Sequence, residues 1–201
     1  MTQPTQPTAA RPELRVRLCS GQRSMQGFTL VELLVVIAIL GILLGTAAPW
    51  AATVADSMRL SSQANLYLAS LHLARSEAIK RNSRVTLCNS ADGATCAASG
   101  GWQQGWIIFH DANNNAAKDD AEVVVHQVPA LPTSFRLVGN QNVAKYVSFG
   151  ATGGTHLVSG AFQAGTLTLC RQSASGGEAR DIVINSAGRA RVQKVAVASC
   201  V

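Results

Sequence analysis

Phe28-Thr29-Leu30-Val31-Glu32-Leu33-Leu34-Val35-Val36-Ile37-Ala38-Ile39-Leu40-Gly41-Ile42-Leu43-Leu44-Gly45-Thr46-Ala47-Ala48 is an apolar run interrupted by one charge, Glu32. Wound as a helix at about 1.5 Å per residue, such a run is long enough to span a bilayer. A carboxylate inside it costs about 2.5–3.5 kcal/mol on insertion scales, so Glu32 needs a partner. Upstream, Arg11, Arg15, Arg17 and Arg23 form a basic flank that fits retention on the cytoplasmic side of a membrane. The chain begins Met-Thr-Gln-Pro-Thr-Gln-Pro-Thr, polar and punctuated by proline, which gives nothing to fold around. Met25 is an alternative start that would leave those arginines out. A secretory signal peptide accounts for the basic flank and for Ala47-Ala48 as a cleavage site, but it has no use for Glu32.

Beyond Pro49, which is expected to kink or break the helix, a helical pattern resumes. Leu60, Ala64, Tyr67, Leu71, Ala74 and Ala78 recur in steps of three and four, a single stripe, with Gln63, Ser70, Glu77 and Lys80 opposite. After Asn82 the texture changes to short β-branched or alternating runs divided by turn residues. Strands are expected at 84–88, 106–110, 122–128, 135–138, 146–149, 166–171, 181–185 and 189–197, with Gly150–Gly154 and Ser173–Gly177 as links. The sum is an α+β arrangement: a long N-terminal helix packed on an antiparallel β-sheet head, with Trp102, Trp106 and Phe109 helping to supply the face that receives the stripe.

Gly27, Phe28, Thr29, Leu30 and Glu32 resemble the N-terminus of type IV pilins and type II secretion pseudopilins. In that family a prepilin peptidase cuts after the glycine and the new phenylalanine amine is methylated, which implies processing at Gly27–Phe28. Glu32 then matches the acidic residue that pairs with a neighbouring subunit's N-terminal amine in the filament. Arg75-Ser76-Glu77-Ala78-Ile79-Lys80-Arg81-Asn82, Val85-Thr86-Leu87-Cys88 and Gly105-Trp106-Ile107-Ile108-Phe109 with Asp111 resemble the FimT/FimU minor pilins and GspH pseudopilins, FimT above all. The resemblance implies a cleaved leader at 1–27, a transmembrane and assembly helix at 28–54, and a periplasmic head at 55–201 that is helical to about 82 and β-rich from 83. It also implies a subunit anchored in the bacterial inner membrane, low in copy, and carried near the tip of a surface pilus. Its partners would be major and minor pilins and the prepilin peptidase. Whether such a subunit serves a pilus or type II secretion is left open.

Cys19 lies in the expected leader, leaving Cys88, Cys96, Cys170 and Cys200. An even set in an exported domain suggests two disulfides, with three connectivities possible. Closeness in sequence favours Cys88–Cys96, and Cys170–Cys200 then follows; a zinc site competes, without tight ligand spacing to support it. No cofactor is expected, and enzymology finds no foothold. His72, His110, His126 and His156 are scattered, and Gly150–Gly154 lacks the Lys-Ser/Thr of a phosphate-binding loop. Asp111, Asn113, Asn115 and Glu122 fall at positions 1, 3, 5 and 12 of a calcium-loop spacing, but Ala116 stands where that loop needs glycine. A polar hairpin tip explains the same residues, so no metal is assigned.

The formal charge of +6 says little until it is located, and residues 1–27 carry four arginines and one glutamate of it. From Arg171 to Val201 five basic residues face two acidic ones: Arg171, Arg180, Arg189, Arg191 and Lys194 against Glu178 and Asp181. Alternation along a strand puts Arg189 and Arg191 on one face. Gly188-Arg189-Ala190-Arg191 matches the GRxR motif tied to DNA binding for natural transformation in FimT-type minor pilins, so Gly188, Arg189, Arg191, Lys194, Arg171 and Arg180 are the candidate contacts. With no aromatic ladder beside them, duplex DNA held by its backbone, without sequence preference, is the expected ligand. The competing reading is a solvated edge strand on a FimU-like or GspH-like structural subunit that primes assembly and binds no DNA.

Overall fold

A computed structural model describes residues 27–200, apart from the side chains of 46–50 and 52. Residues 1–26, with nearly all of the expected leader, Cys19 and Met25, lie outside the described residues. The described residues divide into two units, with the boundary between Thr46 and Ala47.

Helix α1 covers Leu30–Arg81 and is not broken at position 49. A proline's missing donor there does not stop the helix from continuing on either side. In the first unit the described side chains from Phe28 to Gly45 are all solvent-exposed in the single chain. Thr29 caps this end: its Oγ1 accepts a 3.2 Å hydrogen bond from the Glu32 amide. The expected span Phe28–Ala48 ends among residues whose side chains are not described, and among the described residues no helix is long and apolar enough to cross a membrane.

The second unit is organised by the stripe, and all six of its residues are buried. It packs against two four-stranded antiparallel sheets. The first has the order β3-β2-β1-β5, from Val85–Asn89 (β1), Trp106–His110 (β2), Val124–Val128 (β3) and Tyr146–Phe149 (β5). The second has the order β4-β6-β7-β8, from Phe135–Gly139 (β4), Gly165–Arg171 (β6), Gly177–Ile184 (β7) and Ala190–Val197 (β8). One core joins the stripe to Val85, Leu87, Trp106 and Ile108 of the first sheet and to Leu137, Leu167, Leu169, Ile182 and Ile184 of the second. Tyr67 sits edge-on to Trp102 and Trp106, with ring centroids 5.2 and 5.1 Å away. These pairs add directional attraction to the burial of three large rings.

Expectations about the core face and the strand starts also change. Ser70 is buried rather than exposed, because Trp106 Nε1 donates to its Oγ at 3.0 Å while Ser70 itself donates to the Leu66 carbonyl. Phe109 does not meet the helix: it alternates with Ile108 and packs with Ile107 and Cys88 on the opposite face of its sheet. Strand β3 starts at Val124 rather than 122, since Glu122 accepts hydrogen bonds from the amides of Ala112 and Asp119 in the loop. Strand β7 starts at Gly177, four residues before position 181, because its pairing with β8 runs from Gly177↔Val197 to Ile184↔Ala190 and shortens the expected link.

Candidate nucleic-acid interface

The turn between β7 and β8 is built from Asn185-Ser186-Ala187-Gly188-Arg189. The Asn185 carbonyl accepts from the Gly188 amide at 2.9 Å, the Arg189 carbonyl accepts from the Asn185 amide at 3.1 Å, and Asn185 Oδ1 accepts from the Arg189 amide at 2.9 Å. Gly188 has φ +72° and is buried, and a Cβ there would press into the Gly153 carbonyl. Glycine is therefore required twice over, for the left-handed backbone and for the close approach. The motif's first residue is a packing element.

Arg189 lies in the turn, one residue before β8, so it is presented by the turn and not by the strand expected to begin there. Arg191 is the second residue of β8, opposite Val183, on the sheet face turned away from the core residues Ile182 and Ile184. Both arginines are exposed, and among the described residues neither has an ionic partner. β8 is an edge strand, so its outer side has no neighbour in the sheet.

The other three candidates are held elsewhere. Arg180 is 6% exposed and sits on the core-facing side of β7. It pairs with Glu178 at 2.7 Å and donates to Ser57 Oγ at 3.0 Å and Ser61 Oγ at 3.1 Å on α1. Lys194, directly across from Arg180 in the register, pairs with the other oxygen of Glu178. Arg171 pairs with Asp56 of α1. The Glu178 carboxyl is pulled down to about 2 by hydrogen bonds from Lys194, then Ser57 and Arg180, against the opposing effect of desolvation. These residues form a polar clasp at the end of the core nearest Leu60, on the opposite sheet face from Arg191. The sequence brought five cations together by proximity; the structure leaves two of them without counter-charges.

Both expected disulfides, Cys88–Cys96 and Cys170–Cys200, are present. The second ties the C-terminus to β6, and Ser173 and Cys200 exchange backbone hydrogen bonds beside it. The loop with calcium-like spacing is closed on itself. Asp111 accepts from the amides of Asn115 and Ala116 and from Thr86 Oγ1, while Asn113 and Asn115 both donate to Asp119 Oδ2. Ala116 adopts φ +57° despite its Cβ, so the glycine the spacing calls for is not needed to make the turn. Among the described residues no cluster of His, Cys, Asp or Glu has the grouping of a metal site.

At the other end, Phe28 is 78% exposed and the Glu32 side chain points to solvent with no partner among the described residues. The Thr29 cap carries a signal the sequence reading passed over, a threonine three residues ahead of a glutamate.

Comparison with known proteins places this architecture. The model for the prokaryotic N-terminal methylation motif matches residues 22–48, and that for the type II transport protein GspH matches residues 63–188. The pilin-like protein PilA1 of Thermus thermophilus is 31% identical over 170 residues, spanning 84% of this chain and 98% of that protein. Two crystal forms of the type IV minor pilin FimU of Pseudomonas aeruginosa share the fold. One has a TM-score of 0.54 at 20% identity over 73% of this chain and 98% of that one; the other has 0.50 at 21% over 71% and 100%. A methylation-type N-terminus, a helix packed on antiparallel sheets and a GspH match over most of the head lead to one conclusion: the chain belongs to the family of type IV minor pilins and pseudopilins.

Proposed function

We propose that this subunit sits at or near the tip of a type IV pilus and binds DNA through Arg189 and Arg191 during uptake for natural transformation, in the manner of FimT. The observation that carries this reading is the uneven fate of the C-terminal cations. Arg171, Arg180 and Lys194 are paired with Asp56 and Glu178, whereas Arg189 and Arg191 are held out on a turn and an edge strand without counter-charges. Unpaired guanidinium groups on a fixed backbone suit phosphate oxygens, which position DNA without reading its bases. In the same proposal the leader is cut at Gly27–Phe28 by a prepilin peptidase and Phe28 is methylated. The apolar start of α1 anchors the chain in the inner membrane with the head in the periplasm, and Glu32 later compensates a neighbouring subunit's amine.

The test is DNA retardation by the full chain in neutral detergent, wild type against Arg189→Gln/Arg191→Gln. The double variant is expected to lose binding at low salt while its melting temperature holds. Equal binding by both proteins would remove these residues from the interface. A second reading, a structural GspH-like subunit that primes assembly, is favoured by the extent of the GspH match, which stops at Gly188, just before both arginines. Absence of DNA binding by the wild type, together with failed filament assembly on deletion, would select it.

A further inference from the structure

Arg75 lies on α1 beside the buried Ala74 and Ala78, half-buried, with its side chain against Gly153 of the Gly150–Gly154 loop. A Cβ added to Gly153 would stand 2.9 Å from Arg75 Nε and 2.9 Å from Ile79 Cδ1. That Nε is shielded from solvent and has no hydrogen-bond partner, and among the described residues no carboxylate pairs with the guanidinium. The nearest carboxylate along the helix, Glu77, is taken by Arg81 at 2.7 Å and Lys80 at 3.5 Å. A partly buried cation with no acceptor is costly, and an orphaned donor of this kind points to a missing acceptor.

Gly153 also touches the basic turn, because its carbonyl is the group against which Gly188 packs. Arg75 and the residue before Arg189 therefore sit against the same glycine. The spacing is fixed: the Thr155 amide donates to the Ser186 carbonyl at 3.1 Å and Thr155 Oγ1 to the Asn185 carbonyl at 3.0 Å, fastening the loop to the turn. No acidic side chain belongs to the Gly150–Thr155 loop or to the Asn185–Arg191 segment.

We propose that Arg75 is a further phosphate contact, acting with Arg189, across the Gly153–Gly188 contact, on the DNA backbone. The inference rests on the DNA-binding reading above and adds a residue more than 100 positions away from the motif. Phosphodiester is favoured over a carboxylate from a neighbouring subunit because the loop and the turn that lie between Arg75 and Arg189 carry no acid, and each guanidinium can fork onto a phosphate.

The experiment measures affinity of the full chain in neutral detergent for a fluorescent duplex of mixed sequence, between 50 and 300 mM NaCl (roughly the range over which counterion release is resolved). Proteins compared are the wild type, Arg75→Gln, Arg75→Lys and Arg189→Gln/Arg191→Gln, each with its melting temperature. Loss of one phosphate contact should flatten the slope of log K against log [NaCl] by about 0.9, with a loss of affinity of about 3- to 10-fold at low salt. Arg75→Lys should keep most of the slope, and Arg75→Gln should melt no lower than the wild type. If the double variant loses DNA while Arg75→Gln retains the wild-type slope and affinity, the assignment of Arg75 is wrong and the DNA reading stands. If the wild type binds no duplex, the DNA reading itself fails and takes Arg75 with it. An Arg75→Gln variant that binds DNA normally but no longer enters filaments would identify a partner's carboxylate instead, and would equally overturn the proposal.

Discussion

Glu178→Gln tests the clasp that removes three cations from the candidate interface. Glu178 is the shared counter-ion of Arg180 and Lys194, which stand directly opposite each other on β7 and β8, so the substitution leaves two like charges facing across strands. Breaking a fully buried ion pair from one side costs about 3–5 kcal/mol. The Arg180 side chain is only 8% exposed, but Glu178 is 29% exposed, and Arg180 keeps Ser57, Ser61 and the Ala179 carbonyl as acceptors. Those remaining contacts and partial solvation reduce the expected loss to about 2 kcal/mol. For a folded unit of this size that is a fall in melting temperature of about 4–8 °C at neutral pH. Lys194→Gln removes only the exposed limb and should cost about 0–1 kcal/mol.

Acid supplies an independent check. The folded Glu178 carboxyl titrates at about 2, below the ordinary glutamate value of about 4.3. A depressed value stabilises the fold above the unfolded-state pKa, and that stability is lost as pH falls through the window from about 4.3 to about 2. The wild-type and Glu178→Gln melting curves should therefore converge across that window. A variant that melts within about 1 °C of the wild type at pH 7, or a gap that stays constant down to pH 2.5, would refute the clasp as a source of stability.

Ala116→Gly relieves an L-residue held at φ +57° and should stabilise by about 1 kcal/mol, seen as a rise of about 2–4 °C in the melting temperature; a fall would contradict the strain argument. Tyr67→Phe removes a hydroxyl that is wholly buried without a partner, whose pKa burial pushes well up, so chemical denaturation should give equal or greater stability, by about 0–2 kcal/mol. Gly188→Ala adds a Cβ where φ is +72° and the Gly153 carbonyl already stands, so it should cost about 2 kcal/mol or more and weaken DNA retention although both arginines remain. Arg171→Gln should leave DNA affinity within about twofold of wild type, because Asp56 already neutralises that guanidinium; a loss matching the Arg189/Arg191 double variant would return Arg171 to the interface.

The helix face was legible because burial follows the 3.6-residue period, and every member of the Leu60–Ala78 stripe is in the core. Ser70 escaped because a polar residue can enter a core when a tryptophan indole is there to donate to it, and the position of Trp106 is a tertiary fact. The strand count and order along the chain were also legible. The division into two sheets was not: nothing local to Tyr146–Phe149 says that it pairs with Val85–Asn89 rather than with its own neighbours. Turn chemistry was readable where side-chain acceptors sit close in sequence, as at Asn185, and misleading at Ala116, where amide donation to Asp111 holds a conformation that the Cβ disfavours.

The candidate site was legible in composition but not in which of its cations are paired, for a reason that applies to basic clusters generally. A local charge count treats each cation as free unless an acid lies nearby in sequence. Here the decisive acid for Arg171 is Asp56, which is 115 positions away, and the hydroxyls holding Arg180 are on the same remote helix. Conversely, Arg75 meets the Gly153 loop from the helix although nothing near it in sequence is part of the motif, because Gly153 and Gly188 are small enough for helix, loop and turn to close on one another. Strand parity fixes which face a cation occupies, but its availability depends on what the fold lays against that face. The same residue type thus clasps the core at position 180 and stands free at 189 and 191. Only the free positions, together with the half-buried and unpartnered Arg75, should carry the salt dependence of binding to DNA.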